Sequence, residues 1–183
     1  MCKKSLLMML LLALLVPWAA NAQTLFSEGF EGGSMPTGWT TDGPGTWSVG
    51  SGDYSTSTGA GLGTYNALIK HSTTGNVTKL ITPEIDLSSV TSATLSFMHV
   101  QRSWSGDIDY LKVYYRTSSS ETWTQLVAYT SALSSWTTEE EIVLPNTTAT
   151  YQLAFEHTDN YGYGVGVDNI VIVQGASCPK PTD

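Results

Sequence analysis

This chain has few groups with which to cross-link itself. Only two cysteines, Cys2 and Cys178, occur in 183 residues. Cys2 falls in an N-terminal stretch that reads as an export signal, so the mature chain keeps one thiol and no internal disulfide. A disulfide-stapled miniprotein is excluded. In an oxidising compartment a structural metal would be a natural substitute staple. Cations are scarce as well. Eight Lys and Arg stand against sixteen Asp and Glu, a formal net charge of −8. Phosphate backbones require a basic surface, so an electrostatic grip on nucleic acid is excluded. Long apolar runs are also missing. Leu6–Val16 is 11 residues, against the roughly 20 that cross a bilayer as a helix. No second such run follows, so no membrane span is expected.

The short run has another reading. Lys3 and Lys4 precede it and Ala20-Asn21-Ala22 follows, the pattern of a secretory signal peptide cut after Ala22. Cleavage leaves 161 residues with 6 basic and 16 acidic side chains, net −10. That is one ordinary domain, long enough to bury a core.

Catalytic patterns are absent too. The histidines are His71, His99 and His157, and none lies in an H-E-x-x-H spacing. There is no G-x-S-x-G nucleophile elbow. Cys178 sits among prolines in a tail, away from any activating base. Asp107 and Asp109 share one strand face, but a glycosidase needs carboxylates flanking a cleft. The simpler reading is a solvated strand start. No enzyme activity is expected.

What the chain does contain is β-forming sequence. Ser and Thr make up 45 of the 161 mature residues. Short β-branched and aromatic runs alternate with Gly, Ser, Asn and Asp clusters, and no window holds a helical period. Strands are expected at Thr24–Phe30, Trp39–Thr41, Thr46–Gly50, Tyr65–Lys70, Val77–Ile81, Ala93–Val100, Asp109–Arg116, Thr122–Tyr129, Glu139–Leu144, Tyr151–His157 and Val165–Val173. The last is apolar on both faces, as a central strand is. Glu139-Glu140-Glu141 suits a charged edge that discourages strand pairing. Such short strands without helices between them imply an all-β, antiparallel two-sheet sandwich. Ser48–Thr64 reads as a loop over one end or edge. The expected organisation is a signal at 1–22, a domain at 23–174, and a linker stub at 175–183 leading to a further module of a multidomain chain.

Four segments, in order, resemble the cleaved adhesin domain family, the jelly-roll modules of gingipain haemagglutinin regions and many secreted Bacteroidota proteins. They are Glu28-Gly29-Phe30-Glu31 running on to Pro36 and Trp39, then Leu80–Leu87, Tyr151–His157 and Val167–Ile172. The pattern is also similar to MAM-type jelly rolls. Two departures stand out: Glu156 replaces a commonly basic residue, and Asn169 replaces a second Asp. The resemblance implies a jelly-roll (concanavalin-like or MAM-like) sandwich that is secreted or displayed on the cell surface. It implies a non-catalytic adhesion module whose partner is a host or matrix protein or a glycan. The alternative is a carbohydrate-binding accessory domain of a secreted hydrolase or peptidase.

Members of the family often carry structural calcium. A Ca²⁺ ion takes 6–8 oxygens, several of them carboxylates. The candidate ligands are Glu28, Glu31 and Asp168, with Asp42 and Asp53 as lesser ones, and the bland alternative is solvated or capping acids. Trp104, Tyr161 and Tyr163 are the candidate ligand-binding aromatics, since exposed loop rings stack on sugars or anchor proteins. The alternative is that they fold over the sandwich ends. Trp39, Trp47 and Trp123 are expected to pack in the core or loops.

Overall fold

The computed structural model describes residues 23–53 and 58–175. The expected signal peptide, its cleavage after Ala22, and the tail carrying Cys178 lie outside the described residues. Eleven strands form: β1 (Thr24–Glu28), β2 (Thr40–Asp42), β3 (Trp47–Gly50), β4 (Asn66–Ile69), β5 (Val77–Ile81), β6 (Ala93–Gln101), β7 (Tyr110–Arg116), β8 (Thr124–Tyr129), β9 (Leu133–Leu144), β10 (Gln152–Thr158) and β11 (Val165–Gln174). All their pairings are antiparallel.

One sheet runs β3-β4-β11-β6-β9, with β1 also on β11. The other runs β2-β5-β10-β7-β8. β11 is flanked along its length by β6, and on its other side first by β4 and then by β1. That central place explains its two apolar faces. It also makes the first and last strands neighbours.

Alternation builds the core. Leu153 and Phe155 of β10 and Leu111 and Val113 of β7 turn inward, against Leu95 and Phe97 of β6 and Ile170 and Ile172 of β11. Phe97 meets Phe155 across the two sheets edge to face, centroids 5.3 Å apart. Such a pair adds about 0.5–1.5 kcal/mol to the area it buries. Trp39 and Trp47 are buried, as the sequence implies. Trp123 is not in the core. It carries the Arg116 guanidinium on its ring at 4.3 Å.

β9 begins at Leu133, well before the expected Glu139. Ser134, Ser135, Thr137 and Thr138 give little apolar alternation, yet the segment ladders onto β6. Glu139–Glu141 does lie on an edge strand.

Candidate functional site

Three loops meet at one end of the sandwich: β4–β5, β6–β7 and β10–β11. Two buried carboxylates hold them. Asp109 is fully buried, contrary to the solvated strand start expected of it. Its Oδ1 accepts from the backbone N–H groups of Asn160 (2.7 Å) and Gly162 (2.9 Å), and its Oδ2 from Gly164 N–H (2.6 Å). Asp159, 1% exposed, does the same for the adjacent loop. It accepts from Ser72 N–H at 2.7 Å, Thr73 N–H at 3.1 Å, its neighbour Tyr161 N–H at 3.3 Å, and His71 Nδ1 at 2.6 Å.

Burial raises the energy of both carboxylate anions, but their donors outweigh it. His157 and the Asn160 and Gly162 amides hold the Asp109 carboxyl below its ordinary value. The Ser72 amide, His71 and the Tyr161 amide do so for Asp159, against the opposing charge of Asp109. Both groups are therefore charged latches on the loop between β10 and β11.

That loop presents two of the predicted aromatics, Tyr161 and Tyr163. Tyr161 takes a left-handed φ of 66° and is 50% exposed. Holding a tyrosine there costs energy, which the Asp109 and Asp159 bonds offset. Trp104, 49% exposed, rides a tight β6–β7 turn closed by reciprocal 2.9 Å bonds between the Trp104 and Asp107 backbones. Its ring meets Tyr163 edge-on at 5.2 Å, and His71 meets Tyr161 at 4.8 Å. Together His71, Trp104, Tyr161, Gly162 and Tyr163 line an open cleft of about 280 Å³. All three predicted aromatics are in it. His71 was missed, because nothing local in its sequence points to a site.

Arg102 and Asp53 steady the cleft from behind Tyr163. The Arg102 guanidinium lies over the Tyr163 ring at 4.7 Å and donates from Nε and Nη2 to the two Asp53 oxygens, both at 2.8 Å. Asp53, a lesser calcium candidate, is thus committed to Arg102. Asp42 lies exposed on β2.

The principal calcium candidates stand near β1 and β11. Glu28 Oε1 accepts from Phe30 N–H at 2.6 Å, and Glu28 pairs with Ile170 in the ladder. Glu31 accepts from Thr64 N–H through both oxygens (3.1 and 3.0 Å) and from Tyr65 N–H at 3.2 Å. Asp168, fully buried, accepts from Leu62 N–H at 2.8 Å. Glu31 and Asp168 therefore grip the same segment, 62–65. Burial first, and the charge of Glu31 as well, push the Asp168 carboxyl above its ordinary value, against the amides of Leu62, Asn169 and Gly61. Neither acid forms an ion pair among the described residues. A cation would fit this unneutralised pair. Among the described residues, however, no group of three or more acidic, His or Cys side chains gathers, so most ligands would be carbonyl oxygens or water.

No family model and no curated protein matches the chain. Solved structures do. The K1 and K3 cleaved adhesin domains of Lys-gingipain from Porphyromonas gingivalis W83 superpose with TM-scores of 0.66 and 0.63. Each is 18% identical, over 82% and 85% of this chain and 98% and 100% of theirs. The carbohydrate-binding module TmCBM61, solved with β-1,4-galactotriose, gives a TM-score of 0.59 at 15% identity, covering 80% of this chain and 94% of that one. The fold expected from the four sequence segments is the fold observed: the chain is an antiparallel jelly-roll sandwich built like the cleaved adhesin domains.

Proposed function

We propose that this chain is an exported, non-catalytic binding module that takes a glycan in the cleft of Trp104, Tyr161 and Tyr163. One observation carries the reading. Two large aromatics stand about half exposed, on loops fastened from beneath by buried carboxylates. Exposed rings on a fixed frame bind with little ordering cost, because the frame is already in place. Apolar ring faces suit the C–H face of a sugar, and His71 supplies a polar group at the rim. At about 280 Å³ the cleft falls just below the roughly 300–1,000 Å³ typical of ligand pockets, so it suits a chain end better than a long polymer.

Adhesin domains and a galactotriose-binding module among the structural neighbours support a binding role. The adhesin likeness also favours a second partner class, a host or matrix protein anchored on the same rings. The cleft serves an adhesion module and an accessory domain on a secreted hydrolase or peptidase alike. Calcium held by Glu31 and Asp168, with Glu28 as the third candidate, would fix the segment between β3 and β4 against β11.

A glycan array on the intact chain tests the reading, with Trp104→Ala and Tyr161→Ala as controls. Truncating an anchoring ring should weaken binding by about 2 kcal/mol, roughly thirtyfold. Glycan binding indifferent to both substitutions would sink the cleft assignment. No glycan binding, with capture of a matrix protein lost on Trp104→Ala, would favour the protein partner.

A further inference from the structure

We propose that the outer face of the β2-β5-β10-β7-β8 sheet is a second binding surface, one that takes an acidic polysaccharide carrying a carboxylate on successive sugars. The argument starts from where the scarce cations go. The described residues contain five Lys and Arg: Lys70, Lys79, Arg102, Lys112 and Arg116. Three of the five share this one sheet face. Inward alternation of Leu80, Val113 and Phe155 turns Lys79, Lys112, Arg116 and Glu156 outward.

The register makes them a built array. Glu156 stands between Lys79 on β5 and Lys112 on β7. Their Nζ atoms lie 2.6 and 3.5 Å from its oxygens, and the Tyr114 hydroxyl donates to it at 3.2 Å. The carboxylate is 6% exposed, while the two lysines keep 19% and 28% of their side-chain surface. The anion is thus covered, and the cations it positions remain accessible. Four residues along β7, roughly 13 Å away at strand rise, Arg116 is fixed differently. Its Nε and Nη2 donate to Gln152 Oε1 at 2.9 and 2.7 Å, Nη1 donates to Ser119 O, and its plane lies on Trp123. It pairs with no carboxylate among the described residues. Asp42 is the acid at the rim of the same row, across from Lys79.

A fixed guanidinium with spare N–H donors and two tethered ammoniums form a receptor for carboxylates. β5, β10 and β7, which carry these side chains, are paired on both sides, so a ligand on this face meets side chains and not main-chain donors. A polyuronate presents charge at every repeat and meets this spacing in any register.

Affinity electrophoresis of the intact chain tests the proposal. The gels contain polygalacturonate or its methyl ester, which keeps the sugar backbone and removes the charge. The expected result is retardation by polygalacturonate alone, weakening as salt rises. The double substitution Lys112→Gln, Arg116→Gln should reduce retention at least about tenfold, the effect of losing a charge-assisted bond. Trp104→Ala should leave it intact. If the double variant melts early, Lys112→Arg must retain binding in the folded chain. Equal retardation by the ester, full retention in the double variant, loss in Lys112→Arg, or no retardation at all would overturn the proposal. Competition by polyglutamate as strong as by oligogalacturonate would overturn the glycan assignment.

Discussion

Asp109 carries more of the structure than its sequence context shows. In the sequence it sits two residues after Asp107, at the start of an alternating strand, and reads as a solvated end. In the structure it is fully buried and accepts three backbone N–H groups from residues more than fifty positions away. Long-range backbone bonds leave no local pattern, which is why Asp109 and Asp159 were not legible while the aromatics they support were. Asp109→Ala would leave buried donors unpaired, at about 1–3 kcal/mol for each group that finds no water. We expect a loss of at least about 3 kcal/mol in urea unfolding, with loss of cleft binding. A variant with wild-type stability would contradict the latch. The pH dependence has a definite sign. Both carboxyls are held below their ordinary value of 3.8, so their contribution is present above that value. It is lost as the pH falls below it through the depressed folded values. Thermal melting should show an acid limb in that window, flattened in Asp109→Asn. An unchanged acid limb in the variant would place the titration elsewhere.

At the scale of elements, β11 and β10 were readable because alternation and two-faced apolarity are direct outputs of sheet geometry. The first half of β9 was not, because an edge strand needs to bury only part of one face. Trp136 marks that part. Its Nε1–H donates to Gly59 O at 3.0 Å, which ties the β3–β4 loop to the sheet. A Cβ on Gly61 or Gly166 would come within 2.9 Å of its ring, so both glycines make room for it. Trp136→Ala should cost about 2–3 kcal/mol, below the 3–5 of a fully buried Trp because the ring is partly exposed. The loss should be local first. Amide exchange at Leu62, Thr64 and Tyr65 should accelerate more than at core β10 positions. Uniform acceleration across both strands and loop would show that Trp136 stabilises the fold globally and does not fasten this loop.

Across the whole molecule, six of the sixteen acids divide into three uses. Asp109 and Asp159 are latched by amides and histidine, and Asp53 and Glu156 are paired with Arg102 and with Lys79 and Lys112. Exposed Glu31 and buried Asp168 share a backbone segment and have no cation partner among the described residues. The sequence offered them through the family resemblance, because their own partners are main-chain amides invisible to pattern. If Ca²⁺ joins them, it binds the folded state alone. At a hundredfold excess over Kd it should then add about 2.7 kcal/mol. For a domain of this size, with roughly 2–4 °C per kcal/mol, the melting temperature should rise by about 5–10 °C and fall again on chelation. Mg²⁺ should do less, since it demands a tighter octahedron and sheds water reluctantly. Asp168→Asn should abolish the Ca²⁺ increment while leaving Trp104-dependent binding measurable, because Asp168 on β11 holds the segment between β3 and β4 and the cleft is built from other loops. Identical melting in EDTA and in excess Ca²⁺ would remove the metal from the account. Asp168 would then stand as a buried carboxylate held by amides alone, with its raised proton affinity the cost of that placement.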